Sequence, residues 1–223
     1  MRFIILIVFL SSAEIVHGQS WAEIDSSDIF SYRPNLFLKI FFPKGIAEGI
    51  ALRSYLRSGA WKEYRATHSD RGAMNEIFRN ANLLCNDYRR ASLLASGLGV
   101  FDHRTIPLKL FPGVVLAVPL TLESESDFNE RTSNLPEHVY SRRISDRDKL
   151  QHFFISAFLS RTLKMNWLVS LLGNAVEVGE DLFIVGGSND DRDRHANKDG
   201  RAFGSQIDAE PLPAPSSSLS RNP

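Results

Sequence analysis

The sequence predicts a mainly α-helical protein, and three observations lead to this fold class. Apolar residues recur at three- and four-residue spacing in several segments, which is the period of a helix with one buried face. Pro107, Pro112 and Pro119 exclude a long helix over residues 105–120, so this apolar stretch is predicted to be extended. Residues 210–223 are rich in Pro and Ser, a composition that buries too little apolar surface to become ordered. We therefore expect a compact helical domain with a Pro-interrupted extended segment and a disordered C-terminal tail.

The clearest helical period follows a possible N-cap at Ser69 or Asp70. Its apolar positions keep the spacing of a single buried face. These positions are Ala73, Met74, Ile77, Phe78, Ala81, Leu84 and Cys85. The pattern predicts a helix that packs this face against the core.

A second, shorter helix is predicted directly after the first. Asn86 or Asp87 provides its cap, and Gly97 and Gly99 are expected to end it, because Gly favours the end of a helix. The two helices are short and closely connected, so they should form a hairpin. Further helices are predicted over residues 46–56 and 123–131.

The last third of the chain predicts a unit of three neighbouring helices. Asp146 or Asp148 caps the first, and short connections should bring all three together. The predicted helices cover residues 146–163, 167–183 and 190–207. Ala196, Gly200 and Gly204 recur every four residues in the third, which predicts a groove that another helix approaches closely.

The N-terminus carries the features of a secretory signal peptide. A single positive charge precedes the apolar run of residues 3–10, which is far shorter than the roughly 20 residues that span a membrane. Val16 and Gly18 suit the loose small-residue rule for cleavage before Gln19. We expect residues 1–18 to be removed during export, which places the mature protein in the periplasm or outside the cell.

Charge and cysteine content restrict the partners of the mature chain. We expect residues 19–209 to form a single helical domain. Lys plus Arg and Asp plus Glu both number 26, a balance that argues against nucleic acid as a partner. Cys85 is the one cysteine of the sequence, so an internal disulfide is excluded and the core alone must hold the fold. Apolar segments after the leader are interrupted before they reach membrane-spanning length.

An ordered set of polar motifs accompanies the three C-terminal helices. Asp148-Lys149-Leu150-Gln151-His152-Phe153 opens the first helix, Glu177 falls in the second, and Asp193-Arg194-His195-Ala196-Asn197-Lys198-Asp199-Gly200 opens the third, followed by Gly204. In order and spacing these residues resemble the VanZ-like family, which shows Asp-Lys-x-x-His-Phe, a helix glutamate and Asp-x-x-Ala-Asn-x-x-Gly-x-x-x-Gly. The resemblance covers residues 146–207 and implies a location in the cell envelope.

The chain departs from the family in its charges and in carrying Gly186-Gly187 and an acidic run where the family tends to show a Gly-Arg pair. VanZ-like proteins are small integral membrane proteins, whereas Arg161 and Lys164 interrupt the first apolar segment here. Glu180 and Asp181 add charge to the second segment. The resemblance therefore implies a soluble relative that kept the helical frame and lost the membrane.

Four polar residues of these motifs form the candidate site. A bundle of the three helices can bring His152, Glu177, Asp193 and Asn197 to one side. Such a cluster can fix helix register through hydrogen bonds, bind a cation or a polar head group, or perform acid–base catalysis. The pattern alone leaves these three interpretations open.

Two classes of function remain after the motif search. The first is a non-enzymatic envelope protein, a helical binding or scaffolding domain whose partner is a lipid head group or another envelope component. The second is an envelope hydrolase or transferase that uses His152 with Glu177 or Asp193 as an acid–base pair. The sequence lacks His-Glu-x-x-His, a cysteine pair and a Gly-rich phosphate loop, so we predict no metal and no cofactor. Burial of the four side chains would favour the first class, and an open cleft the second.

Overall fold

The computed structural model of the protein describes residues 44–111, 114–119, 121, 123–163 and 191–220. Within this part the helices are α1 Ile46–Tyr55, α2 Gly59–Thr67, α3 Asp70–Leu84, α4 Arg89–Gly99, α5 Glu125–Ser133, α6 Arg147–Leu163 and α7 Asp191–Gln206. The strands are β1 Thr105–Phe111 and β2 Val114–Pro119, and a 3₁₀ turn covers Pro215–Ser218. The mainly α fold class is therefore confirmed. The predicted leader 1–18 and the predicted helix 167–183 lie outside the described residues.

Helices α3, α4, α6 and α7 enclose a hydrophobic core. Helix α4 contacts α1, α3 and α6, and α6 contacts α7 on its other side. The rings of Phe78 in α3 and Phe203 in α7 meet edge to face, with centroids 5.2 Å apart. Phe153 and Phe154 of α6 complete this aromatic centre, and their own rings are also 5.2 Å apart. Such pairs add to the free energy that burial of their area contributes.

Helix α3 follows the prediction closely. Ser69 is its N-cap, and the Ser69 hydroxyl accepts a hydrogen bond from the backbone N–H of Gly72 at 3.2 Å. The predicted apolar face is the buried one, with Ala73, Met74, Ile77, Phe78 and Ala81 inside. Periodicity and capping chemistry were sufficient for this element because both signals are local.

The start of helix α4 differs from the prediction. Asn86 and Asp87 adopt left-handed φ angles of 50° and 58°, so they form the turn between the helices instead of capping α4. The helix begins at Arg89 and continues through Gly97 to Gly99. A Cβ atom at Gly97 would lie 2.6 Å from Cδ1 of Ile155, so this glycine allows α6 to approach and does not end the helix.

The segment between α4 and α5 is extended, as its prolines predicted, and it folds into an antiparallel hairpin. Thr105 pairs with Pro119, and Phe111 pairs with Val114 at the turn. Within the described residues the sheet has two strands, so both are edges. Edge strands tolerate proline because its missing N–H need not face a partner.

A buried arginine connects α5 to the end of α4. Nη1 of Arg131 donates to the carbonyl oxygens of Gly99 at 3.1 Å and Phe101 at 2.7 Å. Nη2 of Arg131 donates to Glu123 at 2.6 Å. Arg53 of α1 lies in the same place and contacts this carboxylate at 3.8 Å. The carbonyl oxygens of Gly99, at the end of α4, and of Phe101, just beyond it, therefore receive a charged donor, which a helix C-terminus favours.

The prediction of a disordered tail is wrong for residues 211–220. Leu219 is buried in the core, and the 3₁₀ turn contacts α3 and α7. Ser216 and Ser220 hydrogen-bond to Asn75 and Asp199. Composition failed here because prolines restrict the unfolded chain and so lower the entropy cost of ordering it. The buried side chains of Pro215 and Leu219 and the two polar contacts then order the segment.

None of the helices in the described residues combines the length and the apolar composition that crossing a bilayer requires.

Candidate functional site between helices α6 and α7

The two helices that carry the candidate site are anchored at their N-termini by Asp146. This fully buried carboxylate accepts hydrogen bonds from the backbone N–H groups of Tyr140 at 2.8 Å and Ser141 at 2.5 Å. Its other oxygen accepts one from Arg192 of α7 at 3.0 Å. Asp146 thus joins the preceding loop, the start of α6 and the start of α7. The sequence predicted a helix cap at Asp146 or Asp148, whereas the Asp146 carboxylate bonds to the preceding loop and to α7.

Two glycines of α7 allow its close approach to α6. A Cβ atom at Gly200 would lie 2.1 Å from the carbonyl oxygen of Phe153, and one at Gly204 would lie 2.3 Å from that of Ala157. Real Cβ atoms do not come this close to a backbone oxygen. The groove predicted from the small residues is therefore present, and its partner is α6.

Asp193 occupies the centre of the described polar cluster. Its Oδ1 lies 2.7 Å from Nζ of Lys149 and 3.4 Å from Nε2 of His152. The side chains are 10% exposed at Asp193, 4% at Lys149 and 19% at His152. Asp148 also pairs with the Lys149 ammonium. The geometry at Asp193 is that of an enclosed ion pair, with His152 at its edge.

The charge of Lys149 is stabilised by this arrangement. Burial by itself would lower the pKa of Lys149, but hydrogen bonds and charge interactions with Asp148 and Asp193 outweigh it and raise the pKa above its ordinary value. Lys149 therefore stays protonated at neutral pH. A permanently charged lysine holds Asp193 in place and takes no part in proton exchange near pH 7.

Asn197 also connects α7 to α6. Its Oδ1 accepts a hydrogen bond from the hydroxyl of Ser156 at 2.7 Å, and Asn197 is buried. Asn197 therefore joins α7 to α6 one helical turn beyond Asp193. Of the predicted set, His152 and Asp193 contact each other, and Asn197 contacts Ser156. Glu177 lies outside the described residues.

Two residues of this site escaped the sequence argument. Lys149 lies three positions before His152, and Ser156 lies four positions after it, so all three share a face of α6. That spacing was a usable signal. The sequence does not show that Asp193 is buried. A buried carboxylate requires a cation, and Lys149 supplies it here.

The arrangement is suited to holding the two helices against each other. Within the described residues no group of three or more His, Cys, Asp or Glu side chains is placed to hold a metal ion. The Lys149–Asp193 ion pair, the Ser156–Asn197 hydrogen bond and the close approach at Gly200 and Gly204 follow one another along the contact between α6 and α7. All three lie at the contact between the two helices.

Comparison with known proteins gives no match: no family model, no curated protein and no solved structure is similar to this chain.

Proposed function

We propose that this chain is an exported, non-enzymatic protein of the cell envelope that acts as a helical binding or scaffolding domain. The observation that carries the proposal is the enclosed ion pair of Lys149 and Asp193, 2.7 Å apart. A carboxylate already held by a buried cation is poorly placed to exchange protons with a substrate. The pair therefore supports a structural role for the α6–α7 contact.

The location is supported by the N-terminal residues and by the resemblance of residues 146–207 to the VanZ-like family. Residues 1–18 have the pattern of a secretory leader. An envelope location makes a lipid head group or another envelope component the partner class of such a domain.

The alternative is an envelope hydrolase or transferase in which His152 and Asp193 or Glu177 form an acid–base pair. One observation favours it: His152 lies at the edge of the ion pair and its side chain remains 19% exposed. The two proposals predict opposite effects of substitution on stability, because active-site groups are often held at a cost to the fold.

A double-mutant cycle on Lys149 and Asp193 tests the proposal. We expect Lys149→Met and Asp193→Leu each to lower the free energy of unfolding by about 3–5 kcal/mol, since each removes a close counter-ion of a mostly buried charge. The double variant should lose much less than the sum, because both charges are then gone. Urea unfolding of the full chain measures all three.

Lys198→Met is the matched control. Lys198 is an exposed lysine of α7, and its loss should change stability by no more than about 0.5 kcal/mol. Small and additive losses at Lys149 and Asp193 would contradict the structural role. Unchanged or increased stability of His152→Ala would then point to the enzyme.

A further inference from the structure

The C-terminal segment binds the rest of the protein as a short linear peptide does, with a 3₁₀ turn over Pro215–Ser218. We call residues 214–220 the tail segment, and the surface of α3 and α7 around Asn75 and Asp199 the tail groove. The tail segment contacts both helices and lies next to the core through Leu219. Its position makes the groove a recognition surface as well as a packing surface.

Asn75 recognises one residue of the tail segment at two atoms. Its Oδ1 accepts a hydrogen bond from the backbone N–H of Ser216 at 2.9 Å, and its Nδ2 donates to the Ser216 hydroxyl at 2.9 Å. A paired contact of this kind fixes both the main chain and the side chain. Linear peptides are commonly recognised in this way, with main-chain bonds for affinity and side-chain contacts for specificity.

Asp199 makes the same pair of contacts with Ser220, which lies four residues after Ser216. Its Oδ2 accepts hydrogen bonds from the backbone N–H of Ser220 at 2.9 Å and from the Ser220 hydroxyl at 3.0 Å. Asp199 is only 4% exposed. The groove thus presents an acceptor that requires donors, and leaving it without them would cost free energy.

Two apolar side chains complete the recognised pattern. Pro215 and Leu219 are buried, whereas Ser217 between them points to solvent and bonds only within the segment, to the carbonyl of Ala214 at 2.6 Å. The residues that contact the groove therefore read Pro-Ser-x-x-Leu-Ser. This is a short linear pattern with defined anchors and a free position.

The connection to the tail segment lies largely at the surface, where Arg89 binds the carbonyl of Ala209 and the carboxylate of Glu210, and Leu212 packs against the core. Residues 208–211 are exposed, and the linker contains Pro211 and Pro213, which favour extended conformations. The same contacts can therefore form with the segment of another molecule without disturbing the helices. Exchange of a terminal element between identical chains is a low-cost route to association.

We propose that the tail groove is a binding site for a linear peptide and that its partner in trans is the tail segment of a second copy of this chain. This proposal names a partner for the scaffolding function proposed above. Peptide binding in the groove can be tested without that function, and only its biological purpose rests on it. In dilute solution the chain's own segment occupies the groove, because a short linker gives it an effective concentration on the order of millimolar.

The test uses the full chain with its own segment weakened. Leu219→Asp places a charge at the apolar anchor and should vacate the groove. A fluorescent peptide of residues 210–223 is then titrated onto this variant, with anisotropy as the measurement. We expect saturable binding, and about 10–100-fold weaker binding of the same peptide carrying L219D.

Matched controls separate the groove from the rest of the surface. Asn75→Leu, added to the Leu219→Asp chain, should weaken binding at least about tenfold. Asn129→Leu changes an exposed asparagine of α5 and should leave binding unchanged. A peptide with Ser217→Ala should also bind normally. Absence of saturable binding, or equal binding to the Asn75→Leu chain, would overturn the proposal.

A second measurement needs no substitution in the receptor. Wild-type chain and an isotope-labelled copy are mixed at high concentration and analysed by native mass spectrometry. We expect mixed dimers for the wild type and none for Leu219→Asp. Monomers alone at all concentrations would overturn the role of the second copy. Neither result affects the Lys149–Asp193 cycle, so the two proposals fail separately.

Discussion

Gly200 and Gly204 determine how closely the two helices of the candidate site approach. Both face backbone carbonyls of α6, and an added Cβ atom would lie 2.1 Å and 2.3 Å from them. Backbone at this distance cannot rotate away as a flexible side chain can. The polar contacts of Asp193 and Asn197 depend on this separation, because each hydrogen bond or ion pair tolerates only a few tenths of an ångström.

We predict that Gly200→Ala destabilises the protein although alanine is the better helix former. The higher helix propensity of alanine contributes about 1 kcal/mol, but the clash with the Phe153 carbonyl outweighs it. We expect the free energy of unfolding to fall by at least about 2 kcal/mol in total. Urea unfolding measures the difference. Gly72→Ala is the control, because its Cβ would meet the Ser69 hydroxyl at an ordinary 3.4 Å. A gain in stability from Gly200→Ala would show that α6 and α7 lie further apart.

At the scale of elements, a cluster of charges holds α1, α4 and α5 together. Arg131 is fully buried and pairs with Glu123, whose side chain is 10% exposed. Burial by itself would raise the pKa of Glu123, but hydrogen bonds from Arg131 and the charges of Arg131 and Arg53 outweigh it and lower the pKa below its ordinary value. Burial also lowers the pKa of Arg53, to about 10, so its charge persists at neutral pH.

We predict an acid-dependent loss of stability that originates at Glu123. A lowered folded-state pKa means that the stabilisation is complete above the unfolded value of about 4.3 and is lost as the pH falls through the folded value. At pH 7, Glu123→Gln should cost about 3–5 kcal/mol, because Arg131 loses its buried counter-ion. The difference between wild type and variant should shrink below about pH 4. Urea unfolding at pH 7, 5, 4 and 3 measures it.

Glu130→Gln provides the control for this series. Glu130 pairs with Lys62 at 2.6 Å, but both side chains are exposed by more than 40%. Such a pair contributes about 0–1 kcal/mol, so its loss should be small at every pH. An equal effect of the two substitutions would contradict the dominant role of the buried cluster.

At the scale of the whole molecule, one core links the two ends of the described chain. Leu52 of α1 and Leu219 of the tail segment belong to the same set of buried residues. This set also includes Phe78, Phe153 and Phe203 of the central helices. The free cysteine, Cys85, is buried in it, and burial raises the pKa of its thiol to about 12, which disfavours the reactive thiolate. The core therefore holds the described part without any covalent link.

We predict that the protein recovered from an exporting cell begins at Gln19 and stays in solution without detergent. The reason is the short apolar run at residues 3–10, which suits a cleaved leader and is too short to span a bilayer. N-terminal sequencing and fractionation of the exported compartment measure both points. Protein that retains Met1, or that requires detergent for extraction, would contradict the export proposal. A variant with Leu6→Arg, which interrupts the apolar run, should remain uncleaved.

Local signals were sufficient for much of the helical architecture. Helices α3, α6 and α7 could be predicted because their apolar period, their N-terminal residues and the four-residue spacing of Gly200 and Gly204 lie within each element. Helix α2 was missed, since its nine residues bury only Trp61 and so show no periodic face. His152 and Asp193 could be placed in one cluster from the order of the helices, but their contact with Lys149 could not.

The sequence by itself therefore determined the mainly helical class, the close contact of α6 with α7 and the extended character of Thr105–Phe111 and Val114–Pro119. Only the tertiary structure decided the binding of the tail and the partners of the buried charges. Ser216 and Asn75 form a hydrogen bond although they are 141 positions apart in the sequence, and Arg131 and Gly99 are 32 positions apart. Periodicity and composition describe neighbours within a few residues. A buried polar group instead takes whichever partner the packing of distant elements brings to it, because leaving it unpaired costs more than any local preference contributes.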